Sequence, residues 1–310
     1  MTCLAGGVGA ARFLQGLLKI IPQENVTAIV NTGDDIELYG LHISPDPDIV
    51  IYTIAGIVDE EKGWGIRGDT FNCLNSLKKY GVETWFNLGD KDLATHIYRT
   101  KLLKNGTTLD KVIQKLSKAF DIKMKILPMT NCKVIPQIIT ETGKMHFEEY
   151  LVKRKARDKV LNVVLEGVEA ATPAPGVLQS IKTTEGIIVC PSNPIVSIGP
   201  ILAVKKVREA LKKTRARIAA ISPIVRGATL KGPADKLMRG LGYEVSAYSV
   251  AYLYRDFIDV FIMDQVDEAE KERVEKLGVE VITTNTIMKT MRDKVKLAKL
   301  VLTSLEKEGH

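Results

Sequence analysis

The stretch TCLAGGVGAARFLQGLLKII, residues 2–21, decides the fold class. Residues suited to a buried strand, Thr2 to Ala5, precede Gly6-Gly7-Val8-Gly9, and apolar residues then recur at helical spacing until Pro22. This order predicts a strand, a glycine turn and a helix that ends before the proline. The continuous apolar run from Val26 to Val30 then predicts a second strand, covered on both faces as strands of parallel sheets are.

Further apolar runs of this kind occur much later, with helical patterns between them, at Gly186 to Cys190, Arg217 to Ile221 and Val260 to Met263. Strands that alternate with helices indicate an α/β protein. We therefore predict a Rossmann-like, doubly wound and mostly parallel sheet, with a core built from residues 1–56 and 151–310.

The intervening residues 57–150 predict a mostly helical insertion that carries a β-hairpin. Phe71 to Tyr80 and Leu93 to Lys104 have helical patterns, and Thr107-x-x-Asp110 has the spacing of a capping box for a third helix. The β-rich segments VIPQIIT and KMHFEEY, within Pro128 to Tyr150, flank a turn and predict the hairpin.

The composition of the 310-residue chain limits its partners. It has no apolar run of about eighteen residues and no signal-peptide pattern, so we expect a cytoplasmic protein with no membrane partner. The formal net charge is +7, but aromatic residues make up 6% and do not alternate with basic ones, so we expect no nucleic acid partner. The four cysteines are scattered singly, which predicts neither a disulfide framework nor a zinc site.

The glycine turn is a candidate phosphate site. It connects a strand to a helix, so backbone N–H groups and the positive end of the helix dipole are available to an anion. It is not a P-loop, because no Gly-Lys-Ser/Thr follows, and Arg12 replaces the third glycine of a dinucleotide fingerprint. Arg12 could itself pair with phosphate. The alternative is a tight turn that needs glycine only for its geometry.

A dense acidic stretch, NTGDDIELYGLHISPDPD at residues 31–48, follows the second predicted strand, at the end where open α/β sheets bind ligands. Asp46, ahead of Pro47, is interpreted as a helix N-cap. Capping does not explain Asp34 and Asp35, two adjacent acids that repel each other unless a cation compensates them. Carboxylates without nearby His or Cys suit Mg²⁺, which takes further oxygens from substrate phosphates.

Two later segments each follow a predicted strand, and both are either ordinary turns or ligand loops. PSNPIVSIGP, residues 191–200, is rich in hydrogen-bond donors and acceptors. SPIVRGATLKGPADKLM, residues 222–238, contains three possible anion contacts, Arg226, Lys231 and Lys236. Single basic residues in loops are usually solvated, which is the alternative for these three.

In a third segment, LGDKDLATHIYR at residues 88–99, the helical spacing brings Asp92, His96 and Arg99 to one face. An exposed, ion-paired helix surface is the alternative to a functional role for these residues. No Ser-His-Asp or Cys-His arrangement is discernible in the sequence, so covalent catalysis is not predicted.

The motifs GGVGAARFLQGL, NTGDD, ISPDPD, WGIRGDTF, LGDKDLATH, PSNPIVSIGP and GPADKLM, in this order, resemble the 2-phospho-L-lactate transferase family over roughly Gly6 to Met263. That family builds the deazaflavin coenzyme F-420. The resemblance implies a homodimer and a Mg²⁺-dependent transfer between small-molecule substrates. The terminal ribityl hydroxyl of the deazaflavin Fo would attack the 2-phospholactyl, or phosphoenolpyruvyl, phosphate of a guanosine diphosphate donor, and GMP would leave.

The resemblance also implies roles for individual residues. Asp34 would be the leading Mg²⁺ ligand, helped by Asp35 or Asp48, and the catalytic pair Asp34 and Asp48 would include the group that orients the incoming hydroxyl. The implied deazaflavin contacts are Asp48, Asn87, Asp92 and His96. The implied phosphate and nucleotide contacts are Gly6, Gly7, Gly9, Arg12, Ser192, Asn193 and Ser197.

Two other classes of protein compete with this interpretation. A related group of non-enzymatic, nucleotide-sugar-binding regulators of gluconeogenesis and cell-wall growth shares the glycine loop and the Asp-Asp pair. Those regulators typically continue with glycines, whereas Ile36-Glu37-Leu38-Tyr39 follows here. A nicotinamide-dependent dehydrogenase is disfavoured by Arg12 and by the lack of a single ribose-binding acid about twenty residues further on.

Overall fold

The computed structural model describes residues 1–306. Its strands are β1 (Thr2–Ala5), β2 (Thr27–Val30), β3 (Ile36–Leu38), β4 (Leu41–Ile43), β5 (Lys125–Pro128), β6 (Ile135–Thr140), β7 (Gly143–His146), β8 (Val160–Glu166), β9 (Gly186–Val189), β10 (Arg217–Ile221), β11 (Ile224–Val225), β12 (Ala228–Thr229), β13 (Val260–Asp264) and β14 (Glu280–Thr284).

The α-helices are α1 (Gly7–Leu17), α2 (Pro45–Ile54), α3 (Asn72–Lys79), α4 (Asp90–Lys104), α5 (Leu109–Ala119), α6 (Val177–Thr183), α7 (Ile198–Ala203), α8 (Val207–Lys213), α9 (Ala234–Gly240), α10 (Ala247–Tyr254), α11 (Lys271–Glu275) and α12 (Met291–Leu305). A π-helical turn covers Glu149–Lys153. Across residues 1–306, none of the helices has the length and apolar character needed to span a membrane.

Seven parallel strands form the central sheet, in the order β14-β13-β10-β9-β1-β2-β5. The predicted Rossmann-like α/β fold with a mostly parallel sheet is confirmed. The chain adds strands on one side of β1 first and later on the other side, beginning with β9. The loops after β1 and β9 therefore diverge at the point where the strand order reverses, which is where sheets of this kind bind ligands.

Both faces of the sheet are covered, as the continuous apolar runs predicted. Successive residues of a strand point to opposite faces. Cys3 and Ala5 of β1 therefore pack in a core with residues of α1, α2, α5 and α12, whereas Leu4 packs in a second core with residues of α6, α7, α8 and α10. Side chains of the strand are apolar on both sides because neither side meets water.

An outer antiparallel sheet, in the order β7-β6-β8, contains the hairpin predicted from the sequence. Its third strand, β8, comes from beyond residue 150, and β5, from within the predicted insertion, extends the central sheet. Two further antiparallel ribbons, β3-β4 and β11-β12, lie outside these sheets. The division of the chain into a core and an insertion at residues 57–150 stays a prediction.

Helix ends differ from the sequence-based expectations in two places. α2 begins at Pro45, and Ser44 occupies its N-cap position without a side-chain capping hydrogen bond, so the interpretation of Asp46 as the N-cap is wrong. Thr108 occupies the N-cap position of α5, again without a side-chain capping hydrogen bond, so the capping box predicted at Thr107 is wrong. Its Asp110 instead exchanges two hydrogen bonds, both of 2.9 Å, with Asn131. Contacts with distant residues replaced the local capping pattern at both helices.

Candidate functional site

A cleft of about 730 Å³ opens at the carboxyl ends of β1 and β9, where the strand order reverses. Every site residue implied by the family resemblance lines it except Asp35. The lining residues among them are Gly6, Gly7, Gly9, Arg12, Asp34, Asp48, Asn87, Asp92, His96, Ser192, Asn193 and Ser197. The fold thus gathers these positions in one cleft, while their individual roles stay predictions.

The glycine turn after β1 interlocks with the loop after β9. The N–H of Gly6 donates to Ser192 Oγ at 3.2 Å, and the same hydroxyl donates to the Gly6 carbonyl oxygen at 2.7 Å. A Cβ on Gly9 would lie 2.1 Å from the carbonyl oxygen of Pro191, and Gly7 has a φ of +67°. The turn therefore needs glycine for its geometry, whatever it binds.

The other predicted nucleotide contacts also shape this loop. Asn193 Oδ1 accepts hydrogen bonds from the backbone N–H groups of Ile195, at 2.9 Å, and Val196, at 3.3 Å. Ser197 packs so closely that a Cβ on Gly6 would lie 2.6 Å from Ser197 Cβ. These side chains hold the two loops in register, and their contact with a nucleotide stays a prediction.

Three buried carboxylates, Asp34, Asp46 and Glu148, line the cleft together, and we call them the acidic group. Burial, opposed by a hydrogen bond from Asn31, raises the pKa of Asp46 to about 7. Burial and repulsion from Asp46 raise the pKa of Glu148 to about 8. Burial, with repulsion from both neighbours, raises the pKa of Asp34 well above its usual range. The cleft therefore disfavours three negative charges at once unless a cation is present.

Asn31, at the end of β2, holds this region together. Its Nδ2 donates to Asp46 Oδ2 at 2.9 Å and to the Val196 carbonyl oxygen at 3.2 Å. Its Oδ1 accepts from the N–H of Gly33 at 2.9 Å. Asp46 is therefore turned toward the sheet and the glycine turn, where the N–H of Gly7 also stabilises its charged form. A single amide links the acidic group to the loop after β9.

The Asp34-Asp35 pair contains atoms that fit a bound cation. Each residue keeps one buried carboxylate oxygen, Oδ1, without a hydrogen-bond partner. Asp35 Oδ2 is satisfied, since it accepts from Ser44 Oγ at 2.8 Å and lies 2.9 Å from His42 Nε2. Among residues 1–306, no three His, Cys, Asp or Glu side chains are grouped to hold a metal by themselves. The donor set therefore fits Mg²⁺ that takes most of its ligands from water and substrate.

Asp48 differs from the acidic group because a buried arginine neutralises it. Arg99 is 0% exposed and donates to both Asp48 oxygens, from Nη1 at 3.0 Å and from Nη2. Burial alone would lower the pKa of Arg99, but the adjacent carboxylate outweighs it and raises the pKa. Since both oxygens already accept a charged donor, Asp48 is less suited to bind a metal than Asp34.

Further buried polar side chains extend the ion pair between Asp48 and Arg99. Arg99 Nη1 lies 3.1 Å from His96 Nδ1, and His96 Nε2 lies 3.2 Å from Asp92 Oδ1. Asp92 Oδ1 also accepts from the Tyr52 hydroxyl at 2.7 Å. The alternative of an exposed, ion-paired helix surface is wrong, since His96 is 1% exposed. α4 packs this face against β4, and a sequence pattern of polar residues cannot reveal that burial.

Basic side chains also line the cleft. They are Arg12, Lys62, Lys231 and Lys289. Lys62 lies 3.0 Å from Asp59, but no carboxylate of residues 1–306 lies within 4.0 Å of the other three cations. Of the loop cations considered from the sequence, Lys236 instead donates to the Ala156 carbonyl oxygen at 2.6 Å, and Arg226 lies outside the lining.

Aromatic and aliphatic side chains complete the lining of the cleft. They are Ile43, Ile49, Tyr52, Trp64, Phe86, Leu88, Phe147, Leu151, Val152, Val196, Val225, Leu230, Ile287 and Met288, with Val8 beside the glycine turn. A cleft lined by acidic, basic and apolar side chains suits a ligand that combines phosphate groups with flat rings.

Sequence reasoning missed several of these residues. Two features of the sequence could have identified Glu148 as a candidate site residue. It lies just after a strand, β7, and it is one of two adjacent acids, as Asp34 is after β2. Asn31 was quoted within the acidic stretch, but its bridging role depends on the distant Val196. Lys289 follows β14, a strand that was not predicted. Tertiary contacts define these roles, and the local pattern alone does not.

Comparison with known proteins agrees with the fold. A crystal structure of a member of the UPF0052 family from Bacillus halodurans superimposes with a TM-score of 0.64 at 18% sequence identity, covering 97% of this chain and 99% of that one. At this identity the likeness concerns the fold alone.

Sequence relatives are much closer. The chain is 40% identical to proteins named 2-phospho-L-lactate transferase from Methanosarcina mazei, covering 97% of this chain and 99% of that one, and from Methanocaldococcus jannaschii, covering 97% of each. It is also 40% identical to a protein named phosphoenolpyruvate transferase from Kitasatospora aureofaciens, covering 100% and 99% of the two chains. The profile of the family described as 2-phospho-L-lactate transferase CofD matches residues 1–301. The chain therefore belongs to the 2-phospho-L-lactate transferase family.

Proposed function

We propose that this protein transfers a 2-phospholactyl, or phosphoenolpyruvyl, group from a guanosine diphosphate donor to the terminal hydroxyl of the deazaflavin Fo, in coenzyme F-420 biosynthesis. The hydroxyl oxygen forms a bond to the phosphorus that carries the three-carbon acid. The bond from that phosphorus to the bridging oxygen breaks, and GMP leaves with the bridging oxygen. Family membership and the names of the relatives support the transfer of such a group.

The single observation that carries the proposal is that one cleft holds both buried acids and unpaired cations. The acidic group lines it together with Arg12, Lys231 and Lys289, which have no carboxylate partners among residues 1–306. A phosphate-phosphate linkage accumulates negative charge on the leaving oxygen as it breaks. Basic groups fixed beside that oxygen stabilise this charge before the reaction begins, so they lower the barrier.

The acidic group offers acceptors for the proton of the attacking hydroxyl. A general base is most effective when its pKa is near the working pH. The carboxylates of Asp46 and Glu148 line the cleft, and without a bound cation their pKa values are raised to about 7 and about 8, close to that condition. In the proposed reaction one of these two carboxylates takes the proton as the oxygen attacks.

Mg²⁺ belongs to the proposal because Asp34 and Asp35 each have a buried oxygen without a partner. These residues would hold the ion, and its charge would neutralise phosphate oxygens of the donor. Asp48 remains with Arg99 in this proposal and orients the acceptor through its fixed carboxylate. The ring system of Fo would pack on the apolar wall near Trp64, Phe86 and Asn87.

The assay is GMP release by the purified protein with Mg²⁺, Fo and the guanylyl donor, tested with each three-carbon acid. We expect Asp34→Asn to lower the rate by at least about 100-fold and to abolish its dependence on Mg²⁺. Glu37→Gln removes an exposed acid of the same stretch and should leave the rate unchanged. No turnover with either donor, or tight binding of a UDP-sugar without turnover, would favour the regulatory class instead.

The proposal extends to a homodimer, as the family resemblance implies, and keeps the separate expectation of a cytoplasmic protein. Size-exclusion chromatography with light scattering tests the assembly. A monomeric species with full activity would contradict it.

A further inference from the structure

Two acids outside the lining of the cleft, Asp69 and Asp90, meet where α3 and α4 begin. Asp69, which precedes α3, accepts from the N–H of Lys91 at 2.8 Å through Oδ1 and from the N–H of Asp92 at 3.0 Å through Oδ2. The first N–H groups of a helix lack partners within it, and Gly89, the N-cap residue of α4, has no side chain to supply one. Asp69 therefore caps α4 from another segment of the chain.

Asp90, the first residue of α4, caps α3 in return. Its Oδ1 accepts from the N–H of Cys73 at 3.0 Å, and its Oδ2 accepts from the N–H of Asn72 at 3.0 Å and from the Thr70 hydroxyl at 2.5 Å. These hydrogen bonds, that from Thr70 above all, lower the pKa of Asp90 to about 2, so the group is charged at neutral pH. We call Asp69 and Asp90, with these bonds, the reciprocal cap.

On the side of α4, the capped turn carries residues of the cleft. The N–H of Asp92 is bound to Asp69, while Asp92 Oδ1 lies 3.2 Å from His96 Nε2. Asn87 and Leu88, just before the N-cap residue, also line the cleft. A displaced helix start would therefore move several polar side chains of the lining together.

On the side of α3, the cap supports an aromatic part of the lining. Phe71 is the N-cap residue of α3, and its ring lies 6.5 Å from the ring of Trp64, centroid to centroid. Trp64 lines the cleft and is 40% exposed. Phe86, ahead of α4, lines the cleft as well. One aromatic side chain of the lining thus precedes each capped helix, which suits a ligand with a flat ring.

We infer that Asp69 and Asp90 are positioning residues for the substrate that carries a flat ring. By capping α3 and α4 against each other, they set the distance between Trp64 and the cleft residues 86–92. A preformed site loses little conformational freedom when its ligand binds, so the cap strengthens binding of the ring. The identity of this substrate as the deazaflavin Fo rests on the proposed function.

The test is a UV-visible titration of the full-length protein with Fo, beside calorimetry with GDP. Asp69→Ala is expected to weaken Fo binding by about tenfold or more, because the start of α4 loses both capping bonds. The affinity for GDP should stay within about twofold, because the interlock of Ser192 with Gly6 holds the glycine turn independently. In turnover, the KM for Fo should rise and the KM for the guanylyl donor should not.

Asp110→Ala is the matched control. Asp110 is also a half-buried acid in the first turn of a helix, it exchanges two hydrogen bonds with Asn131, and it does not line the cleft. Both alanine variants should lower the melting temperature by about 2–4 °C, because each loses hydrogen bonds at a helix start. Only Asp69→Ala should lose affinity for Fo.

Three further variants separate the cap from the side chain that is removed. Asp69→Asn keeps one acceptor oxygen and should lose less affinity for Fo than Asp69→Ala. Asp90→Ala opens the cap from the side of α3 and should weaken Fo binding selectively as well. In Gly89→Ala, the φ of −77° accepts alanine, but its Cβ would lie 2.1 Å from Asp69 Oδ2, so the cap must open while Asp69 is still present. The same selective loss is expected.

The inference is overturned if folded Asp69→Ala, checked by circular dichroism, binds Fo within twofold of Asp110→Ala, or if its affinities for Fo and GDP fall by the same factor. Should Asp69→Ala not fold, Gly89→Ala decides by the same criteria. A selective loss of Fo binding, with no GMP released by the unmodified protein, would support the inference while the proposed function fails. An unmodified protein that binds no Fo would contradict both.

Discussion

Replacing Arg99 by methionine tests whether the buried ion pair with Asp48 organises the acceptor end of the cleft. The guanidinium is 0% exposed and contacts both Asp48 oxygens and His96 Nδ1. Methionine has a similar length, so Arg99→Met fills much of the space while it removes the charge. Asp48 then remains buried without its cation.

The expected loss of stability in Arg99→Met follows from the burial of the unpaired Asp48 charge. Removing one partner of a buried ion pair costs about 3–5 kcal/mol, because the other charge loses its compensation in a medium of low polarity. We therefore expect Arg99→Met to lower the free energy of unfolding by about 3–5 kcal/mol near neutral pH. The double variant Asp48→Asn/Arg99→Met removes both charges and should recover part of that loss.

The loss of unfolding free energy in Arg99→Met should depend on pH. Burial raises the pKa of Asp48, and Arg99 opposes that shift. Without Arg99 the folded-state pKa of Asp48 lies further above its unfolded value. In this variant the neutral Asp48 carboxyl group is tolerated in the folded protein at a pH below its unfolded-state pKa. Stability falls as the pH rises through its folded-state pKa, because the buried group then becomes charged. The deficit of Arg99→Met should therefore be smaller at about pH 4.5 than at about pH 8.

Denaturant unfolding followed by circular dichroism at both pH values measures these effects. Arg273→Met is the matched control, because Arg273 pairs with Glu244 at 2.8 Å while both side chains are about half exposed. That control should show no measurable change in the unfolding midpoint. A loss below about 1 kcal/mol for Arg99→Met at pH 8, or equal deficits at the two pH values, would refute the reasoning.

Two other predictions concern the glycine turn and the acidic group. Gly9→Ala would put a Cβ 2.1 Å from the Pro191 carbonyl oxygen, so the two loops must separate. We expect a loss of about 1–3 kcal/mol in unfolding free energy and about 100-fold in the rate of GMP release. An unchanged melting temperature and rate would contradict the interlock. Glu148, with a folded-state pKa of about 8 against an ordinary value of 4.5, contributes stability that is lost as the pH rises through about 8. The metal-free protein should therefore melt at a lower temperature at about pH 8.5 than at about pH 5.5, and Glu148→Gln should flatten that profile. Parallel pH profiles for the two proteins would show that Glu148 does not titrate in this way.

The sequence predicted those parts of the fold that depend on local pattern. The order of residues 2–21 predicts β1 and α1 because the strand, the turn and the helix are adjacent in the chain. The sequence pattern predicts neither β14 nor β5, and only Pro128 of β5 lies within the segment assigned to the hairpin. Both are edge strands of the central sheet. Edge strands have one neighbour and a more mixed composition, so their apolar runs are weaker.

The sequence likewise predicts only those residues of the candidate site whose positions follow from a local pattern. Asp34 and Arg12 follow a strand and a glycine turn, so their position at the edge of the sheet can be inferred from the sequence alone. The pairing of Asp48 with Arg99 and the burial of His96 depend on how α2, α4 and β4 pack, which no local pattern records. Asp46 was misread for the same reason, since its partner is Asn31 rather than its own helix.

The interlock of the two central loops has a consequence for how the protein is made. The hydrogen bond from Ser192 to Gly6 joins residues 186 positions apart, and β1 pairs directly with β9. Contacts so distant in sequence close slowly, because a long loop must lose its entropy before they form. On the ribosome, the N-terminal strand emerges long before its partner. The cleft therefore cannot be completed until β9 has been made, because a chain that stops before it lacks the loop that interlocks with the glycine turn.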